Sequence, residues 1–470
     1  MTTAARTTVA EVHARMDRLP ITRGHRFALV AVGIGMFFDL YEVFLAGTLA
    51  TVLGKEFGVT GIAQKLVLAS AFVGAFVGAI TLSRLADRVG RRRAFFLTLG
   101  LYSLFSVLAA FSPNVELLIV FRFLAGVGIG AELPLCDAYL SDLLPAKRRG
   151  RMIAWAYTLG FCGVPVAGLL ARVITPHTLL GLAGWRWMFL LGGLGALICW
   201  LMRRGLPESP RWLASVGRAE EADAVVRRFE AEAGPLPALG PVADTGPVRR
   251  EPVRALFRVP WRRRTIMLWI FQLFQTFGYY GFGTLVPLVL AAKGYDVVQG
   301  LTFTALSFLG YPLGSALSIP LMERIERKTM IVGAAIGMIV LGLAFGYSTN
   351  AVAIVLLGFL YTVVSNLFSN GFHVYSGELF PTTLRATGAG VAYSLSRLAT
   401  AVMPFLLVPL LDSAGPTAVF VAIAAAMVIV AVDVGVLGPR TTGRSLAELS
   451  SPENPTAAPP AGRGTGRPGA

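Results

Sequence analysis

Only 14% of the 470 residues are charged, and acids are scarcer than bases, 26 against 42. So little charge excludes an ordinary soluble domain, where about a quarter of residues carry it. With 55% hydrophobic residues the chain is expected to lie in a membrane. The three cysteines, Cys136, Cys162 and Cys199, all fall in apolar runs, which leaves neither a disulfide framework nor zinc spacing. There is no membrane-embedded cluster among the four histidines and no nucleophile constellation, so no enzyme, metal or cofactor is expected. No Gly-x-x-x-x-Gly-Lys-Ser/Thr loop occurs, and ATP is not the expected energy source. No cleavable signal peptide is visible, because Met1 to Arg26 is polar and the apolar run from Phe27 to Leu53 is too long for a signal h-region. A net charge of +16 would imply nucleic acid only if the bases shared a face; here they sit in loops between apolar runs.

Those runs dominate the chain. A spanning helix needs about 20 mostly apolar residues, and candidates fall at 27–53, 66–82, 94–111, 115–136, 152–174, 187–202, 266–290, 301–321, 330–345, 352–374, 389–411 and 418–437. The expectation is an all-α membrane protein with six spans at 27–203 and six at 265–438. A segment at 1–26 precedes them, a linker at 204–264 with one amphipathic helix near Ala219 to Glu232 separates them, and a disordered tail at 439–470 follows. The Lys/Arg asymmetry of the loops predicts that both termini and the linker are cytoplasmic, in the plasma membrane of a prokaryotic cell.

The two sets of spans are copies. At an offset of 236 residues, Asp87, Arg88, Arg91 and Arg92 fall on Glu323, Arg324, Arg327 and Lys328, and Tyr139, Asp142, Leu143, Pro145 and Arg149 fall on Tyr375, Glu378, Leu379, Pro381 and Arg385. Parallel halves in a polytopic membrane protein point to a transporter with its solute site near the bilayer midplane. The basic turns suit a cytoplasmic gate. Asp87 ends one helix and can face the positive end of another, while Arg88 and Arg91 can pair with Asp142 and Glu208; Arg149 and the second-copy residues Glu323, Arg324, Arg327, Glu378 and Arg385 complete the set.

Several motifs carry a family resemblance. Asp87-Arg-x-Gly-Arg-Arg resembles the loop 2–3 signature of the major facilitator superfamily, with Ser83 where a glycine is usual, and Arg122-x-x-x-Gly126-x-x-x-Gly130 resembles its helix 4 signature. Pro207-Glu-Ser-Pro-Arg-Trp-Leu213, Tyr139-Leu-Ser-Asp-Leu-Leu-Pro145 and Tyr375-Ser-Gly-Glu-Leu-Phe-Pro-Thr382 resemble the sugar-porter and metabolite:proton symporter branch, with Asp142 in place of the usual Glu. The resemblance implies two pseudo-symmetric six-helix bundles of twelve transmembrane helices, the MFS fold.

Ionisable residues at midplane depth are functional candidates. At ~1.5 Å per residue Asp39 lies about 18 Å into the first span, with Glu42 one turn on. Arg122 lies about 10 Å below the far boundary of a ~30 Å core, near the depth of Asp39. Asp39, with Arg122 as partner, is the expected proton carrier and Glu42 its alternate. Arg397 near the midplane favours a carboxylate solute. Gln272, Gln275, Tyr279 and Tyr280 on one span, and Asn366 and Asn370 on another, share faces expected to line the solute cavity. Glu132, Asp137 and His373 are expected nearer the inner gate. The partners expected are a small solute, protons and the bilayer, with no nucleic acid and a monomeric chain. Symport of a small organic acid is the leading reading, a niacin- or organic-acid-type relative being suggested by Tyr279-Tyr280-Gly281. A neutral sugar or polyol symporter and a non-transporting membrane sensor stay open.

Overall fold

The computed structural model describes residues 8–239, 253–259, 261–380 and 382–441. The side chains of Asp87, Glu323 and Arg385, named above as gate residues, lie outside the described residues, as does the chain beyond 441 that was expected to be disordered. In chain order the helices are α1 Val9–Asp17, α2 Arg23–Thr48, α3 Ala50–Phe57, α4 Ile62–Val89, α5 Arg91–Ala110, α6 Val115–Leu143, α7 Ala146–Phe161, α8 Gly163–Ile174, α9 Gly184–Met202, α10 Pro210–Ser215, α11 Ala219–Ala233, α12 Trp261–Ala292, α13 Val297–Phe308, α14 Gly310–Arg324, α15 Arg327–Tyr347, α16 Ala351–Glu378 and α17 Thr382–Leu437. Among the described residues 11 helical stretches are long and apolar enough to cross a membrane. The last of them, Gly388–Leu437, holds two spans, because Gly415 turns the backbone to φ 79° ahead of Pro416. The expected twelve spans are present.

Both halves use one packing plan. α6 lies on α4 and α5, and α5 on α9; in the second half α16 lies on α14 and α15, and α15 on α17. Between α4 and α6 the backbones touch. A Cβ on Gly74 or Gly78 would collide with carbonyls of Phe123 or Val127, and one on Gly126 or Gly130 with carbonyls of Ala71 or Ala75, so the helix 4 signature is a small-residue contact. The halves meet through α2 against α12, α4 against α17, α7 against α14 and α8 against α13. The last four are two broken spans, interrupted at Gly163-Val-Pro165 and Gly310-Tyr-Pro312, where proline cannot supply an interior N–H.

At the basic end, α1, α10 and α11 form a collar on the first half. The amphipathic helix expected near Ala219 is α11, burying Ala222, Val226 and Phe229 at helical spacing. α1 was not foreseen, although Thr8 accepting from the Glu11 N–H at 3.2 Å is an N-cap written in the sequence. Arg15 pairs with Asp223 and Glu230 at 2.6 Å each, and the Glu232 carboxylate accepts from the Gly24 N–H at 2.7 Å, fixing the collar to the start of α2.

Candidate functional site

Asp39 on α2, Phe72 and Ala75 on α4, Ile129 and Leu133 on α6, Tyr280 on α12 and Arg397 on α17 line one narrow cavity of about 20 Å³ where the halves meet. Asp39 is 1% exposed and Arg397 5%. The Arg397 guanidinium donates to the Tyr280 hydroxyl at 2.8 Å and to the Tyr393 hydroxyl, and lies over both rings, 5.2 and 4.6 Å from their centroids. Its Nε and both Asp39 carboxylate oxygens have no hydrogen-bond partner. Around the cavity Phe44 stacks on Tyr280 at 6.2 Å and Phe72 meets it edge-on at 5.5 Å. The site thus presents a fork of N–H donors held by neutral hydroxyls, a carboxyl across from it, and aromatic walls.

Other residues expected in the site are not among the side chains that line this cavity. Arg122 does not partner Asp39; it meets Glu42 at 3.5 Å, both side chains almost fully buried. The reason is helix phase: Glu42 is three residues from Asp39, which turns it toward α6 at the depth of Arg122, where Ser106 also donates to it at 3.2 Å. Gln275 donates to Gln272 at 3.2 Å. Asn366 donates to the Tyr311 carbonyl, and Asn370 to the hydroxyls of Ser315 and Ser318 at 3.1 and 2.8 Å. These two amides therefore join α16 to α14 rather than line the cavity. Tyr279 is packed against Phe44 and Tyr311.

The basic turn brings some of the expected partners together and not others. Glu208 accepts from the N–H groups of Arg91 and Arg92 at 2.9 and 3.1 Å, so Glu208 faces the positive start of α5, the role expected of Asp87. Gly90 has φ 102° and a Cβ there would strike Glu208, which accounts for the glycine of the motif. Arg91 lies 3.8 Å from Asp142 and Arg327 3.6 Å from Glu378, each pair within one half. Arg149 turns to Asp17 at 3.4 Å, while Arg88 and Arg324 are exposed. Nearer the site, Tyr157 donates to Asp137 at 2.9 Å and its ring lies 5.6 Å from that of His373 in the other half. At the opposite end Arg172 donates to Thr302 at 2.7 Å across the halves.

Sequence reasoning passed over Arg203, placing it only as the last residue of the first bundle, next to the linker. It is fully buried at the end of α9, ion-paired with Glu132, and lies 4.1 Å from the centroid of Phe95. The signal was present: an arginine directly after an apolar run can fold back into it.

The family described as Sugar (and other) transporter matches residues 27–451. The chain is 31% identical over 440 residues to the niacin transporter NiaP of Acinetobacter baylyi, covering 93% of this chain and 99% of that one. It is 30% identical over 395 residues to the gentisate transporter of Corynebacterium glutamicum, covering 82% of this chain and 81% of that one. Among solved structures, the partially occluded inward-open conformation of the xylose transporter XylE from E. coli superposes with a TM-score of 0.72 at 20% identity, over 90% of this chain and 99% of that one; this likeness carries the fold. With its paired bundles, its two copies of the basic turn and the extent of these matches, the chain belongs to the Sugar (and other) transporter family within the major facilitator superfamily, a multi-pass membrane transporter rather than an enzyme.

Proposed function

We propose that the protein is a proton-coupled symporter of a small aromatic carboxylate, working by alternating access in a prokaryotic inner membrane with its basic end and collar in the cytoplasm. One observation carries the reading: Arg397 is buried between tyrosine hydroxyls with an unpaired Nε, beside a cavity walled by Phe72 and Tyr280. A buried guanidinium calls for a carboxylate, which it holds by charge-assisted hydrogen bonds, and flanking rings suit an aromatic body. Niacin and gentisate, in the names of the two relatives, are both aromatic carboxylates. A neutral polyol would need amides at the cavity, and Gln272, Gln275, Asn366 and Asn370 are not among the side chains that line it. The orientation follows from the lysines and arginines gathered at the collar end.

Asp39 is the proton carrier in this reading. An ionised carboxylate without donors is costly to bury, so the half-to-half switch is easiest with a proton on Asp39 and the solute on Arg397. Loss of the proton on the cytoplasmic side then resets the cycle. Glu42, already paired with Arg122, is the second carboxyl to test. A thermal-shift series on the purified protein with nicotinate, gentisate, benzoate and xylose tests the substrate class. The aromatic acids are expected to raise the melting temperature, as any ligand of the native state does; stabilisation by xylose alone overturns the reading.

A further inference from the structure

The mechanism above leaves the most deeply buried ion pair of the first half unused. Arg203 and Glu132 are each at most 1% exposed. One Glu132 oxygen takes an Arg203 N–H and the other takes the Thr98 hydroxyl at 2.6 Å, so the carboxylate is satisfied. The arginine has donors to spare. Its Nη2 reaches only the Val32 carbonyl at 3.5 Å and the Cys136 sulfur at 3.8 Å, and its Nε has no partner. That guanidinium fills the place where a side chain on Gly35 would stand, since a Cβ there would collide with Nη2. Gly35 is one helical turn from Asp39 on the same face of α2. Two buried groups of opposite charge, each with unmet hydrogen-bonding capacity, therefore flank one turn of one helix. On a membrane-normal scale Arg203 lies on the collar side of Asp39, and Arg397 lies across the cavity on the other half.

We propose that Arg203, held in place by Glu132, is the group that receives the Asp39 carboxylate once its proton has left, and that this pairing makes Asp39 discharge toward the cytoplasm. The inference rests on Asp39 being the proton carrier. In the step, the Asp39 O–H bond breaks, the proton passes to water entering from the collar end, and the carboxylate turns along α2 to the free donors of Arg203. Glu132 acts through Arg203 as a positioning residue. It cancels the standing charge of the arginine, so that Arg203 can accept a second carboxylate without holding Asp39 permanently ionised. The charged and titratable groups around Asp39 are Arg203 and Glu132, the thiols of Cys136 on α6 and Cys199 on α9, Arg397, Tyr280 on α12, and Tyr102 on α5, whose hydroxyl donates to the Phe38 carbonyl at 3.0 Å.

The test needs no solute. In the full-length protein reconstituted in liposomes, infrared difference spectra against pH follow the protonated-carboxyl band of Asp39, identified as the band missing from Asp39→Asn. The double variant Glu132→Gln/Arg203→Gln removes both charges of the pair together, leaving no lone buried ion. Because the Glu132 charge itself disfavours an ionised Asp39, Glu132→Gln alone is the reference: the pH midpoint of the Asp39 band is expected to be about one unit or more higher in the double variant than in that single variant, a tenfold tighter hold on the proton; equal midpoints overturn the proposal. Should the double variant fail to assemble, Gly35→Ala gives a second reading, because its methyl group pushes the flexible end of Arg203 off α2 and should raise the midpoint in the same direction, with no change again overturning it. If no band disappears in Asp39→Asn, the carrier assignment itself has failed, and that outcome is distinct from the other two.

Discussion

The two halves share a frame and differ in what they bury. At the 236-residue offset the basic turns recur, yet the interior charges of the first half have no counterparts in the second: Glu42 corresponds to Gly278, Arg122 to Gly358 and Glu132 to Phe368, while Arg397 corresponds to Phe161. The first half buries three carboxyls and two arginines in its interior, Asp39, Glu42, Arg122, Glu132 and Arg203. In the second half the buried charged side chains among the described residues are Arg397 and, toward the collar end of the last span, Asp433, and the core is rich in aromatic rings, with Phe282 stacked on Tyr361 at 4.2 Å and Phe271 on Phe372 at 3.8 Å. A buried ion is costly and is kept where it has a task. The asymmetry therefore divides the proposed work, with proton handling in the first half and the solute anion on the second, and the narrow Asp39–Arg397 cavity as the place where each senses the other.

The strongest way to break this division is Asp39→Asn. The amide imitates the protonated acid, so counterflow exchange of labelled nicotinate across liposomes is expected to persist, while accumulation driven by an imposed pH gradient is lost altogether. Accumulation that survives would return the proton to Glu42 and empty the comparison of its central residue. Next in size, Glu132→Gln alone should cost about 3–5 kcal/mol of stability by leaving Arg203 buried without its partner, read as a lowered denaturation midpoint in detergent. Neutralising both members should cost much less. A single variant as stable as the double would mean that water already reaches the pair.

On the solute side, Arg397→Gln should weaken nicotinate binding by about 2–5 kcal/mol, the range for truncating one member of a buried charge pair. The fold should barely notice, because the groups left behind, Tyr280 and Tyr393, are neutral. Calorimetric titration checks the first statement and the melting temperature the second. Undiminished binding would move the anion site out of the second half.

Much of the frame was legible because it depends on hydropathy and repeat spacing, which read locally. Twelve spans and α11 follow from runs of residues close in sequence. The partnerships inside the bundle did not follow, for a physical reason: depth can be counted at a fixed rise per residue, but the azimuth of a side chain depends on how helices are packed. Asp39 and Glu42 are close in depth and only three residues apart, and that small rotation decides which of them Arg122 meets. Asn366 and Asn370 were rightly put on one face, yet that face turned to α14. Arg203 was misjudged because a chain boundary drawn from composition cannot show a long side chain folding back into the bundle.

The smallest expected effect lies in the collar, which rests on the first half and so tests whether the asymmetry extends beyond the membrane. Glu230 accepts from Arg15 and Arg18, with Arg15 at 2.6 Å and Arg18 at 2.7 Å, and chiefly the Arg15 hydrogen bond holds its carboxyl below the usual range. A depressed folded pKa means that the stabilisation is complete above the unfolded value of about 4.3 and disappears as the pH falls through the lower folded value. The magnitude is about 0–1 kcal/mol for pairs with this much contact with solvent. Hydrogen exchange of α11 amides, corrected for intrinsic rates, should therefore be flat from neutral pH to about 5 and quicken below about 4.3. In Glu230→Gln the exchange should be slightly faster at neutral pH, and the acid-induced rise should shrink. An identical acid response in that variant would mean that the apolar face of α11, with Phe229 against His25 at 4.6 Å, holds the collar without help from these ion pairs.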